Sequence, residues 1–99
     1  MYIVREVMNC KPGKVREIVK RFKTLNDLAP KIGAKPFRIM TDVSGSPFWT
    51  VVSETEVSSV DDFFTMMEKA MANEEIARAM AGYHDFVERG YREFYKLEA

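Results

Sequence analysis

Residues 82–98 read GYHDFVERGYREFYKLE. The stretch holds the only histidine of the chain, His84, and beyond Gly90 it gathers Tyr91, Phe94 and Tyr95. Whether this last segment continues a helix or starts a strand decides the fold. Glu88-Arg89-Gly90 has the chemistry of a helix ending: Arg89 suits the negative end of the helix dipole, and Gly90 takes the left-handed conformation at little cost. The three aromatics also fit helical spacing, but aromatic richness after a helix-stopping glycine favours a pleated, half-buried surface. The segment is therefore read as a fourth strand.

Working back from it, Asn73-Glu74-Glu75 opens a helix that carries Ile76, Met80, Tyr83 and Val87. Before it, Ser59 precedes Asp61 and Asp62, a capping hydroxyl followed by acids at the positive end of the dipole. That start leads into a helix with Val60, Phe63, Met67, Ala70 and Met71. Lys35–Val43 and Phe48–Val57 read as two strands joined by the turn SGSP, a hairpin. Tyr2–Asn9 is rich in β-formers and reads as the first strand. Pro12 suits a helix start, because its missing N–H would have no partner there. Val15, Ile18, Phe22, Leu25, Ala29 and Ile32 then recur at spacings of three and four, one apolar stripe. Pro30 must end or kink that helix, and Gly33 suits the exit.

The order is thus βαββαβ, a single domain over residues 1–99 of the α+β class: a ferredoxin-like, four-stranded antiparallel sheet with both helices on one face. Right-handed crossovers put strands 1 and 3 in the centre. The strands do not alternate cleanly. Tyr2, Val4 and Met8 point one way, Ile3 and Val7 the other; Phe37, Ile39 and Val43 oppose Met40; Phe48 and Val52 oppose Trp49, Val51 and Val57. Two helices cover one face only. A wet apolar face forgoes roughly 1.5–3 kcal/mol per large side chain, and a second copy related by a two-fold axis is the simplest cover.

Composition bounds the function. Fifteen basic residues balance fifteen acidic ones in 99, so no net charge draws the chain to nucleic acid or an anionic membrane. The balance hides a basic stretch at Lys11–Lys23 and an acidic one at Glu54–Glu75, two solvated helix faces or mutually attracting regions. Cys10 is the single cysteine, which excludes an internal disulfide and a cysteine-pair zinc site. No apolar run approaches the ~20 residues of a membrane span, and no secretory leader pattern is present, so a cytoplasmic protein is expected. Nucleophile elbow, phosphate loop, dinucleotide fingerprint and paired catalytic carboxylates are all absent from the sequence.

The succession of a strand, Lys11-Pro12-Gly13-Lys14, an amphipathic helix, a hairpin, SSVDDF, a capped helix and an aromatic last strand resembles the dimeric α/β-barrel superfamily. Within it the pattern is most similar to NIPSNAP-like and antibiotic-biosynthesis-monooxygenase-like small domains. The resemblance covers nearly the whole chain, and its motifs are architectural. It implies a homodimer and an apolar pocket between sheet and helices for a small organic molecule. The activity implied is that of a cofactor-independent oxygenase or isomerase, or else a non-catalytic ligand-binding or stress-related interaction role. Haem-degrading members use an asparagine, a tryptophan and a histidine. Asn9, Trp49 and His84 supply those residue types, but Trp49 falls on a strand and His84 late on its helix, so no cofactor is expected.

Five residues are the candidates for a site. His84 borders the apolar stripe of its helix and is the one side chain poised to act as a base near neutral pH; the alternative is a boundary residue bonded to Asp85, backbone or water. Arg5 sits mid-strand, where a charge must be paired or bound: it holds an anionic or carbonyl group of a ligand, or pairs with Glu54, Glu56, Glu93 or Asp42. Trp49, Tyr83 and Met67 are read as substrate-binding, with packing as the alternative for each.

Overall fold

A computed structural model describes all 99 residues, Met1–Ala99. Four strands, β1 (Tyr2–Cys10), β2 (Arg38–Thr41), β3 (Thr50–Val57) and β4 (Val87–Lys96), form one sheet in the order β2-β3-β1-β4. Every pairing is antiparallel. Three helices follow the expected pattern: α1 (Val15–Leu28), α2 (Val60–Ala72) and α3 (Glu74–Met80). The central placement of strands 1 and 3 and the ferredoxin-like α+β architecture agree with the reading of the sequence.

Local chemistry sets the boundaries. The Ser59 hydroxyl accepts from the Asp62 N–H at 3.0 Å and starts α2, while Asn73 Oδ1 accepts from the Ile76 N–H at 3.1 Å and starts α3. Both satisfy donors that a helix leaves free. Pro30 ends α1 at Leu28, and a single 3-10 turn, Ala29–Ile32, carries the chain to Gly33.

Two expectations change at the other end. The helix that carries Ile76 stops at Met80, eight residues before the expected stop at Glu88; Gly82, with φ of 77°, makes the turn, and a short 3-10 segment, Tyr83–Phe86, follows. Gly90 is no helix cap. It lies inside β4, opposite Met8 on the central strand. A Cβ there would stand 3.0 Å from Met8 Sδ and 3.3 Å from the Val7 carbonyl oxygen, so the glycine serves a close approach of side chain and backbone. The hairpin strands are also shorter than expected. Val43, Phe48 and Trp49 fall in the loop Asp42–Trp49 and are exposed, although the Trp49 carbonyl still accepts from the Cys10 N–H at 2.8 Å.

Registered neighbours share a face, which sorts the side chains. Toward the helices, Cys10, Ile18, Val19, Phe22 and Val51 form a buried cluster under α1. Val4, Val57 and Phe63 form a second one under α2, extended by Tyr2, Met66, Met67 and Phe94. α1 and α2 each lean on α3. Arg21 fastens that contact: its guanidinium donates to the carbonyls of Ala79 at 3.0 Å and Ala81 at 2.7 Å and lies 5.2 Å from the Phe86 ring centre. No helix lies on the opposite face of the sheet, where Val7, Asn9 and Thr50 are nonetheless buried and Tyr91 is half exposed. No helix is long and apolar enough to cross a membrane.

Candidate functional site

The two helix-side clusters are kept apart by a polar seam. On β1, Met8 belongs to the first cluster and Val4 to the second. Glu6 lies between them on the same face, because side chains repeat with period two. Its registered partners are Ser53 on β3 and Arg92 on β4. Glu6 and Arg92 form an ion pair with the Arg92 Nε hydrogen-bonded to the carboxylate. The guanidinium carbon also sits 4.9 Å from the Phe63 ring centre and 5.8 Å from that of Phe64, a cation–π arrangement. Phe63, Phe64 and Phe94 stack edge-on or tilted around it, with centroids 5.3–6.1 Å apart. Both charges remain partly solvated, at 33% and 23% exposure for Arg92 and Glu6. The seam thus sets a partly solvated ion pair against an aromatic wall.

The open face carries a second polar row one residue away. Arg38, Glu54, Arg5 and Glu93 stand in register on β2, β3, β1 and β4. Arg5 Nε is 3.6 Å from Glu54, Arg5 Nη1 is 4.0 Å from Glu93, and Arg38 is paired with Glu54. The Tyr95 hydroxyl donates to Glu93 at 2.7 Å, and that bond holds the phenol above its ordinary pKa. Ile3, Val7, Met40, Val52 and Tyr91 flank the row. At one end, Asn9 donates to Thr50 Oγ1 and accepts from Arg89 Nε, both at 3.0 Å. Thr50 in turn donates its N–H to Asp42 Oδ1 and its hydroxyl to the Pro47 carbonyl. This network fixes the loop in which Trp49 holds a φ of 68°, a conformation costly for an aromatic residue.

The five residues singled out in the sequence do not converge. Arg5 is on the open face, in two of the pairings foreseen for it, with Glu54 and Glu93. Met67 is half-buried beside the second cluster. Tyr83 packs against the first cluster, and its ring stacks on exposed His84 at 4.0 Å between centroids. Trp49 belongs to the loop, 43% exposed. Of the surface depressions, one of about 430 Å³ is lined by Lys31, Ile32, Lys69, Ala72 and Asn73, and one of about 300 Å³ by Ile3, Arg38, Glu54, Thr55 and Glu56. His84 borders neither. Arg92 was not among the sequence candidates; the signal was its spacing of two from Phe94. No group of histidine, cysteine and carboxylate side chains is placed to hold a metal ion.

No family model and no curated protein matches the chain. Solved structures do. A NIPSNAP domain protein from Burkholderia xenovorans superposes with a TM-score of 0.81 at 16% identity, covering 100% of this chain and 96% of its own. A NIPSNAP family protein of unknown function from Agrobacterium tumefaciens reaches 0.82 at 17% identity, covering 98% and 87%. A protein from Nitrosomonas europaea described as a putative antibiotic biosynthesis monooxygenase gives 0.73 at 12% identity, with both chains covered in full. The chain thus has the ferredoxin-like fold of NIPSNAP and antibiotic-biosynthesis-monooxygenase-like proteins, as its sequence pattern implied. A fold shared at such identity carries no activity with it.

Proposed function

We propose that the protein works in the cytoplasm as a homodimer, two copies pairing through their open sheet faces, and that each copy binds a small organic molecule over the Ser53–Glu6–Arg92 seam. The observation that carries this reading is the seam itself. A charged pair is set between two apolar clusters under the helices, where a ligand can add the burial that the fold leaves incomplete. The ligand class is an aromatic or alicyclic compound with one carboxylate or carbonyl. Arg92 orients that group, Glu6 holds Arg92, and the phenylalanines with Met67 receive the apolar part.

A thermal-shift screen of aromatic acids and lactones tests the reading on the wild type, Arg92→Gln and His84→Ala. The expected result is a stabilising shift that Arg92→Gln removes and His84→Ala keeps. A shift lost in His84→Ala and kept in Arg92→Gln would move the site to the Tyr83–His84 turn. No shift with any compound would refute ligand binding. A cofactor-independent oxygenase or isomerase activity at the same seam is the second reading, favoured by the description of the Nitrosomonas europaea neighbour. Oxygen uptake and chromatographic recovery of the ligand measure it, and a ligand recovered unchanged leaves binding alone.

A further inference from the structure

We infer that the outer shoulder of α2 is a docking seam for a basic amphipathic helix of another protein. Val60, Phe64, Met67 and Met71 recur along α2 at spacings of four, three and four, the alternation with which helices pack side by side. Met67 is half-buried against the second cluster. The other three stand out from the fold: Val60, Phe64 and Met71 are 36%, 45% and 77% exposed. On the inner flank of this line, Phe63 is buried and Ala70 half-buried. The outer flank is acidic at both places, Asp61 after Val60 and Glu68 after Met67. Both carboxylates are exposed, and neither takes part in an ion pair within the chain. Lys69, the single basic residue of α2, projects half a turn away from the line.

The charges select the occupant. A helix laid along the line buries Val60, Phe64 and Met71 under its own apolar stripe. On the one flank that α2 leaves open it meets two acids, so lysine or arginine there pairs with them and acids are repelled. A second copy of α2 does not fit. Set antiparallel, it brings Asp61 and Glu68 against their own equivalents; set parallel, it faces them with Phe63 and Ala70, which are turned into the fold. The α1 of another copy offers Arg16, Lys20 and Lys23, but Ile18, Val19 and Phe22 of its apolar stripe are buried in their own core. The same two acids oppose an anionic lipid surface. The 13 residues of α2 span about 20 Å, so the fitting partner contributes roughly three to four turns. Phe64 and Met67 are shared with the small-molecule site proposed above; Val60, Met71 and the two acids are not, and they carry the test.

The experiment follows the fluorescence anisotropy of two labelled model helices titrated with the whole chain. Both carry leucine at alternating spacings of three and four over about four turns. One has lysine at every flanking position and the other glutamate. Wild type should bind the lysine helix at least about tenfold more tightly than the glutamate helix. D61K/E68K should reverse that preference. Met71→Gln should weaken binding of the lysine helix by about fivefold or more. Met71 stands clear of both core clusters, so this variant keeps the fold, which circular dichroism checks. Equal binding of the two helices overturns the inference, as does binding of neither. Binding of the lysine helix that Met71→Gln leaves unchanged overturns it too, because the contact is then charge alone. A fall in the mass of the protein in solution on Met71→Gln would put a second copy on the shoulder and contradict it.

Discussion

The two faces of the sheet solve the same problem differently. Both carry a polar row at mid-sheet, built from neighbouring residues of the same strands: Ser53, Glu6 and Arg92 toward the helices, Arg38, Glu54, Arg5 and Glu93 away from them. Toward the helices, apolar clusters on either side are sealed by α1 and α2, so the fold draws its stability there and the polar row is a gap in the seal. On the other face no helix covers the apolar residues that flank the row, of which Val7 is buried among its neighbours and Tyr91 half exposed, and the charges there hold one another. In the proposed reading, the row under partial cover receives a small molecule and the row on the open face receives another copy's surface.

The comparison is sharpest where the helix side is cut. Phe22 is 3% exposed in the cluster beneath α1 and meets Phe37 edge-on at 5.8 Å. Phe22→Ala is expected to cost about 3–5 kcal/mol in chemical denaturation, as for a buried aromatic. A loss well under 1 kcal/mol would mean that stability does not reside on that face. Closing the gap instead, with Glu6→Leu and Arg92→Met together, joins the two clusters. The expected change lies between none and about 1–4 kcal/mol of added stability, toward the low end because the pair is partly solvated. Ligand shifts should vanish with it, and a stable double variant that still binds would break the assignment of the seam.

Smaller effects separate the elements from the faces. Gly90→Ala puts a Cβ against Met8 Sδ at 3.0 Å and should cost about 1–2 kcal/mol, an overpacking that a flexible methionine partly relieves. A stabilising outcome would contradict the close approach. Ser59→Ala removes the cap of α2 and should cost about 1 kcal/mol, with dimer mass unchanged because the cap touches neither row.

The smallest effect concerns Cys10, buried at the end of β1. Burial, and after it the nearby charge of Asp42, push its thiol above the ordinary value of 9.0. A raised pKa means that folding favours the neutral thiol. Its contribution is present below the ordinary value and is lost as pH rises through the folded one. Wild type should therefore lose slightly more stability than Cys10→Ala between pH 8 and pH 10 on these grounds; equal losses would contradict it.

Much of the fold was legible because local chemistry and global pattern agree. The Ser59 and Asn73 caps, Pro30 and the stripe from Val15 to Leu25 each have a mechanism that acts within a few residues. Gly90 misled for a physical reason. A glycine after Glu88-Arg89 has the chemistry of a helix stop, whereas its use here is to leave room for Met8, a residue 82 positions away that no local pattern reveals. The outward pairing of Arg5 was foreseeable from strand alternation, and Glu54 and Glu93 both answer it. Arg38 and Arg92 were not foreseen, since their roles depend on register between strands and on α2 lying over Phe94. His84 stood out as the lone imidazole, but the early end of α3 at Met80 leaves it on an exposed turn.

The covering of the bare sheet face by a second copy is most directly tested by the mass of the protein in solution. Sedimentation equilibrium at micromolar concentration should give twice the chain mass of 11.5 kDa, with Tyr91→Asp, half exposed on that face, shifting the mass toward a single chain. A wild-type mass of 11.5 kDa up to the highest soluble concentration would contradict the account, leaving Ile3, Val52, Met40 and Tyr91 in water.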